Sequence, residues 1–256
     1  MNKKVAVITG GAHGIGRAMV KAFEKNDIQV AFIDKDKEAG EEVFDEIPHE
    51  DSKGFFYHGD LAVKEDIENF TIHVVETFGQ VDYLINNACL HHYGLFSECT
   101  YEEFNEVLKV GVTAPYYLTL LLEKHFTKKA AIVNISSTRQ RMSQEDTESY
   151  SAAKGGIGSL THALAMSLAG RVRVNSVSPG WIDTREGEEA LNLMDARDMN
   201  QHPVTRIGRT EDVVRLALFL CDEKSGFING EDITVDGGMS KMMIYHGEAG
   251  WTYHKD

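Results

Sequence analysis

The chain has 256 residues, 42% of them apolar and 26% charged, enough to bury a substantial core within one α/β domain and ordinary for a globular protein in water. A formal net charge of −14 excludes a general nucleic-acid surface, which needs a basic face. The cysteines Cys89, Cys99 and Cys221 are odd in number and lack metal-type spacing, so they read as reduced buried thiols, not as a disulfide framework or zinc site. Met1-Asn2-Lys3-Lys4 runs straight into an apolar segment without a signal peptide's apolar core. The longest apolar stretch, around Leu118 to Leu122, is too short to span a bilayer, which points to a cytoplasmic protein.

Val5 to Thr9 reads as a first strand, followed at once by glycines at 10, 14 and 16 and a helix with apolar spacing up to Asn26. Ile28 to Ile33 is a second strand with the carboxylate of Asp34 at its end, and Lys35 to Ile47 a polar-faced helix. Phe55 to His58 is a third strand, and Ile67, Phe70, Val74, Val75 and Phe78 keep helical spacing between Lys64 and Phe78. A fourth strand, Tyr83 to Ile85, runs into Asn86-Asn87-Ala88, and a long helix is predicted over Tyr101 to Phe126. Ala131 to Ile135, Val172 to Val177 and Ile233 to Val235 complete the strands, with a helix over Tyr150 to Leu168. Strands alternating with helices throughout imply a single-domain, doubly wound parallel sheet of about seven strands, covered on both faces. The rhythm breaks between Asp183 and Gly208, an insertion placed where such sheets present substrate, and a C-terminal tail covers 239–256.

The first strand, glycine turn and helix suit a pyrophosphate. Glycine permits positive φ and close backbone approach, and the helix start offers unpaired N–H groups and a positive dipole end. Asp34 after the next strand fits a dinucleotide site in which a carboxylate holds the ribose hydroxyls. Tyr150 and Lys154, four apart, project from one helix face. A phenol is a poor base at neutral pH, and a neighbouring ammonium favours its phenolate. Ser137, after the fifth strand, can hold a substrate oxygen beside that phenol.

With these residues in place, the chain resembles the short-chain dehydrogenase/reductase family over nearly its whole length. The matching stretches are Thr9 to Gly16, Asp60-Leu61, Asn86-Asn87-Ala88, Ile135-Ser136-Ser137, Tyr150 to Lys154, Asn175 to Thr184 and Val235 to Gly238. The resemblance implies a Rossmann fold with Tyr150 as general acid/base, Lys154 supporting it and gripping the nicotinamide ribose, and Ser137, chosen over Ser136, orienting the substrate oxygen. It implies cofactor contacts at Gly10, His13, Gly14, Ile15, Gly16, Asp60, Leu61, Asn87 and Ala88. Pro179, Gly180, Ile182 and Thr184 match the segment that holds the carboxamide.

Two positions depart from the family's pattern. The long fourth helix usually carries an asparagine where this chain has Gly111, in Val110-Gly111-Val112-Thr113; its carbonyl remains available for a proton relay, but the side chain is gone. Cys89 replaces the usual glycine after Asn-Asn-Ala, and reads as a small buried filler. Asp34 would repel a 2′-phosphate and outweigh His13 and Lys35, so the cofactor expected is NAD. His91, His92, Tyr93, Arg139 and Arg141 are candidates for the pocket mouth, with the arginines able to meet a carboxylate. Trp181, Leu191, Leu193, Met194 and Met199 either offer an apolar wall for a bulky alicyclic alcohol such as a steroid or bile acid or only pack the insertion, with another hydroxy compound as the alternative substrate.

The expected activity is interconversion of a secondary alcohol and a ketone by a chain acting on small molecules, with no nucleic-acid or membrane partner and no metal. A cofactor-binding protein that has lost turnover, and a sugar-nucleotide epimerase or dehydratase, are the competing readings. The tail's Met239, Met242, Met243, Ile244, Tyr245, Trp251 and Tyr253 would either cover a neighbouring subunit of a homo-oligomer, a tetramer or dimer, with tetramers what the family resemblance implies, or fold back on their own subunit.

Overall fold

The computed structural model describes residues 3–47, 54–185, 195–248 and 250–252. Its centre is a seven-stranded, all-parallel sheet. In chain order the elements are β1 (Val5–Thr9), α1 (Gly14–Lys25), β2 (Gln29–Asp34), α2 (Lys37–Glu46), β3 (Phe55–His58), α3 (Lys64–Phe78) and β4 (Val81–Asn86). Then come α4 (Tyr101–Leu108), one π-helical turn (Lys109–Thr113), α5 (Ala114–Leu122), β5 (Phe126–Ile135), α6 (Glu148–Ser167) and β6 (Val172–Pro179). A short ladder of β7 (Ile182–Asp183) with β8 (Gly208–Arg209) flanks α7 (Ala196–Asn200), and α8 (Thr210–Cys221) and β9 (Asp232–Val235) follow.

Strand order is β3-β2-β1-β4-β5-β6-β9, so the order reverses between β1 and β4. The strands' carboxyl ends share one edge, and the crevice at the reversal is where such sheets take ligands. Alternation along β1 explains the two-faced core: Ala6 and Ile8 pack with α1, α2 and α8, while Val7 packs with α3, α5 and α6.

The long helix predicted over Tyr101 to Phe126 is instead three pieces. A Thr100/Glu103 capping box starts α4, the backbone widens to a π-turn at Lys109–Thr113, and α5 stops at Leu122. Phe126 belongs to β5, whose outer end pairs with Val81 through a register shift, so the fifth strand begins earlier than its apolar run suggests. No helix among the described residues is long and apolar enough to cross a membrane.

Candidate active site

At the sheet's reversal point a cleft of about 370 Å³ is lined by Gly10, His13, Gly14, Ile15, Asp34, Asp60, Leu61, Asn87, Ala88 and Thr184, among others. The backbone turn beneath it is fixed from several sides. Asp34 accepts the Ala12 N–H on one carboxylate oxygen (2.9 Å) and the Asp36 N–H on the other (3.0 Å). The Asn87 amide donates to the Thr9 and Gly10 carbonyls, while the Thr9 hydroxyl receives the N–H groups of Asn87 and Ala88. Gly10 (φ +66°) and Gly14 (φ +50°) occupy the left-handed region at the cleft. Gly16 does not line the cleft; a Cβ there would lie 1.8 Å from the Gly10 carbonyl oxygen, so it serves the close return of the helix onto the turn.

The start of α1 fits an anionic group. Its N-cap His13 makes no side-chain cap bond and its first turn holds no acidic residue. Every other described helix that rises from a loop has a side-chain cap or an acid in its first turn. The orphan N–H groups and positive dipole end of α1 are therefore left for a ligand phosphate. His13 is itself paired, with its Nε2 2.8 Å from Asp36 Oδ2, and that partner holds the Asp36 carboxyl below its ordinary range.

Ser137, Tyr150 and Lys154 stand outside this cleft, along the same edge. Lys154 is only 3% exposed, and its Nζ donates to the Ile135 carbonyl at 2.7 Å while lying 5.4 Å from the Tyr150 ring centroid. The ammonium is thus pinned between the end of β5 and the phenol. Ser136 is turned inward and donates to the Lys154 carbonyl (3.0 Å), whereas Ser137 heads the next loop and accepts the Arg139 N–H (3.2 Å). A buried chain from Asn86 to Asn134 (2.8 Å) to Thr161 (2.9 Å) ties β4 and β5 to α6, the helix that bears the tyrosine and lysine. Pro179 ends β6 beside Val235, Gly180 just past it donates to the Val235 carbonyl, and Ile182 sits in β7; Thr184 is the member of that segment that reaches the first cleft.

A model of the enoyl-(acyl carrier protein) reductase family matches residues 10–240. An uncharacterized oxidoreductase of Thermotoga maritima is 40% identical, with 94% of this chain and 98% of that protein covered. The chain belongs to the short-chain dehydrogenase/reductase family. The solved structure of an apo SCOR enzyme from Clostridium thermocellum superposes on this short-chain dehydrogenase/reductase with a TM-score of 0.90 at 42% identity, covering all of both chains. A mouse L-fucose dehydrogenase is 34% identical over 92% of this chain and 88% of its own.

Within this short-chain dehydrogenase/reductase, Gly111 is explained by packing. It lies in the π-turn, where a Cβ would meet the Ala153 Cβ at 2.9 Å, and Gly156 reciprocates by admitting Val112 at 2.8 Å. The residue neighbouring Lys154 therefore fills the space an asparagine side chain would need.

The cysteine reading needs correction. Cys89 is exposed at the cleft and Cys99 is half-buried; Cys221 alone is buried, and its thiol is pushed up to about 12 by desolvation. Of the two arginines offered to the pocket mouth, Arg141 pairs with Asp232 (3.4 Å) and Arg139 bonds Gln144. Leu191, Leu193, Met194 and Tyr253 lie outside the described residues. Sequence reasoning missed Asp36 as the partner of His13, and missed Asp146 and Glu148, which fasten the loop after β4; acids in polar loops carry no pattern that marks them.

Proposed function

We propose that this oxidoreductase interconverts a secondary alcohol and a ketone using NAD, and that its substrate is a polar, hydroxylated small molecule. The observation that carries the reading is the buried Lys154 ammonium held between the Ile135 carbonyl and the Tyr150 ring, beside a cleft whose helix start is left open to phosphate. When bound, NAD supplies the hydride acceptor. Tyr150 removes the proton of the substrate hydroxyl, and the adjacent ammonium offsets the negative charge of the phenolate. Ser137 orients the substrate oxygen by hydrogen bonding. Gly10, Gly14 and the first N–H groups of α1 take the pyrophosphate, and Asp34 takes the adenosine ribose, where a second phosphate would meet its charge. Pairing with Asp36 occupies the His13 ring nitrogen that could have met that phosphate.

The polar substrate class rests on His91 beside Tyr150, with Tyr93 and the charge of Arg139 close to that imidazole; one relative carries the name L-fucose dehydrogenase, after a sugar. Self-association belongs to the same reading: α5 leaves Tyr116 and Leu120 exposed, and the tail leaves Met243 and Tyr245 exposed, apolar area that a second copy would cover. The test is NADH formation across a panel of sugars, polyols, hydroxy acids and steroids, with Tyr150→Phe as control. Turnover on the hydroxylated compounds, reduced about 1,000-fold by Tyr150→Phe, supports the reading. A variant as active as wild type, or a silent panel with intact NAD binding, sinks it, the second in favour of a cofactor-binding protein.

A further inference from the structure

The loop after β4 and the loop before α6 are clipped together beside Tyr150. Asp146 accepts the N–H groups of Gly94 (3.1 Å), Phe96 (2.9 Å) and Ser97 (3.0 Å), and the Ser97 hydroxyl as well. Glu148 accepts the Leu95 N–H (3.2 Å), and the Ser149 hydroxyl donates to the Tyr93 carbonyl (2.7 Å). Gly94 lies so close that a Cβ there would be 1.5 Å from Glu148 Oε2. Tyr93 (φ +58°) and Asp146 (φ +61°) both take the left-handed conformation that side-chain-bearing residues avoid. Such strain persists where surrounding bonds over-determine it, and it gathers at functional sites.

The clip sets the imidazole of His91 edge-on to the ring of Tyr150, with centroids 5.6 Å apart and planes at 77°. The Tyr93 ring also lies against it, with centroids 4.6 Å apart. Neither ring nitrogen of His91 hydrogen-bonds a described protein group. The next residue differs: His92 Nε2 is 2.9 Å from Glu106 Oε2 and braces the loop. His91 is exposed, and partial desolvation and the charge of Arg139 push its imidazole below its ordinary value, which leaves one N–H donor and one acceptor. A polar group with both functions open, beside the phenol that receives a hydroxyl proton, has no structural task that the clip and His92 do not already perform.

Resting on the alcohol-oxidation reading above, we propose that His91 is a specificity-determining residue: it binds a second hydroxyl, on the carbon next to the one oxidised, and makes vicinal diols the preferred substrate class. A neighbouring hydroxyl then exchanges hydrogen bonds with the imidazole while the reacting hydroxyl meets Tyr150 and Ser137.

The experiment compares kcat/KM for trans-cyclohexane-1,2-diol and cyclohexanol in wild type, His91→Ala and His91→Phe, with NADH binding by fluorescence as the check on folding. Wild type is expected to prefer the diol about tenfold, the worth of one well-placed hydrogen bond, and both variants to bring the ratio near one. His91→Phe keeps a ring against Tyr150, so a packing role would preserve the preference there; preservation overturns the proposal, as does a parallel fall on both alcohols. A second readout is the His91 imidazole NMR signal, assigned by its loss in His91→Asn. In the NADH-bound protein it is expected to move with the diol and stay with cyclohexanol, and equal response to both overturns the proposal. Failure of the wild type to oxidise the diol overturns the vicinal-diol proposal, and the oxidation reading falls with it only when the wider panel of sugars, polyols, hydroxy acids and steroids is silent too; turnover of both with an unchanged ratio in the variants sinks only the role of His91.

Discussion

Around Gly10 the chain is held by contacts that the sheet itself delivers. Asp34 and Asn87 stand at or just past the ends of strands flanking β1, and their side chains reach the turn between them. The glycines there are fixed by approach distances that a methyl group would violate. Around His91 the chain is held by carboxylates from a distant stretch, Asp146 in the loop before α6 and Glu148 at its first residue. Asp146 is held below its ordinary range by the Ser97 hydroxyl and the loop's N–H groups. One side of the carboxyl edge is shaped by sterics and strand register, the other by charge in exposed loops. A scaffold built this way can keep one nucleotide pocket while its loops change what is oxidised.

The largest effect expected from breaking this contrast is on cofactor choice. Asp34→Asn removes the charge and keeps one acceptor oxygen, enough for the N–H of Ala12 or of Asp36 but not for both, so the turn keeps the Asn87 bonds and one of these two. The ratio of NADP to NAD dissociation constants should fall about 100-fold, since a hydrogen bond to a charged group is worth roughly 1.5–3 kcal/mol and a repulsion is relieved as well. Titrations of both nucleotides by protein fluorescence measure this. An unmoved ratio would mean that Asp34 serves the turn alone, and that the nucleotide side too is held by charge without using it on the ligand.

The next effect lies where the two sides join, at Gly111 against Ala153. Alanine at 111 gains about 1 kcal/mol of helix propensity, yet overpacking a closed contact costs about 1–3 kcal/mol. Because the opposing atom is the Cβ of Ala153, which cannot swing aside, the loss should win. Urea unfolding of Gly111→Ala is expected to show lower stability, with reduced turnover as α6 shifts Lys154. A stabilised variant would show that the π-turn has room, and Gly111→Asn could then be read as a test of the proton relay.

The same contrast explains what the sequence made legible. The Val-Ile strands, the glycine turn, Asp34 and the Tyr150/Lys154 spacing are local patterns, each decided within a few residues, and the structure places them along one sheet edge. The break at Lys109–Thr113 was not legible, because only the distant Ala153 and Gly156 reveal why the helix widens there. The extension of β5 to Phe126 depends on pairing with Val81, again a partner far along the chain. His91 and Tyr93 could be suspected as pocket residues, but not that Asp146, far along the chain from them, would clip their loop. Long-range charge pairing leaves no periodicity to read.

The smallest effect concerns Asp212, which anchors the far end of the insertion over 183–208. It accepts both Arg206 guanidinium nitrogens (2.7 and 2.9 Å) and the Arg209 N–H (2.9 Å), and so ties the segment that forms β8 to the first turn of α8. These partners lower its carboxyl from 3.8 to about 2. A folded-state value below the unfolded one means stability that is complete above the unfolded value and lost as pH falls through the folded one. Asp212→Asn should therefore cost about 1 kcal/mol at pH 7, less than the full shift implies because the guanidiniums are exposed to screening solvent. The gap between variant and wild type should narrow as pH falls from about 4 and close near about 2. Urea midpoints at neutral pH and in acid decide it. If the gap stays constant with pH, the loss comes from the shape of the N-terminal turn of α8, and the substrate side would owe its form to sterics, as the nucleotide side does.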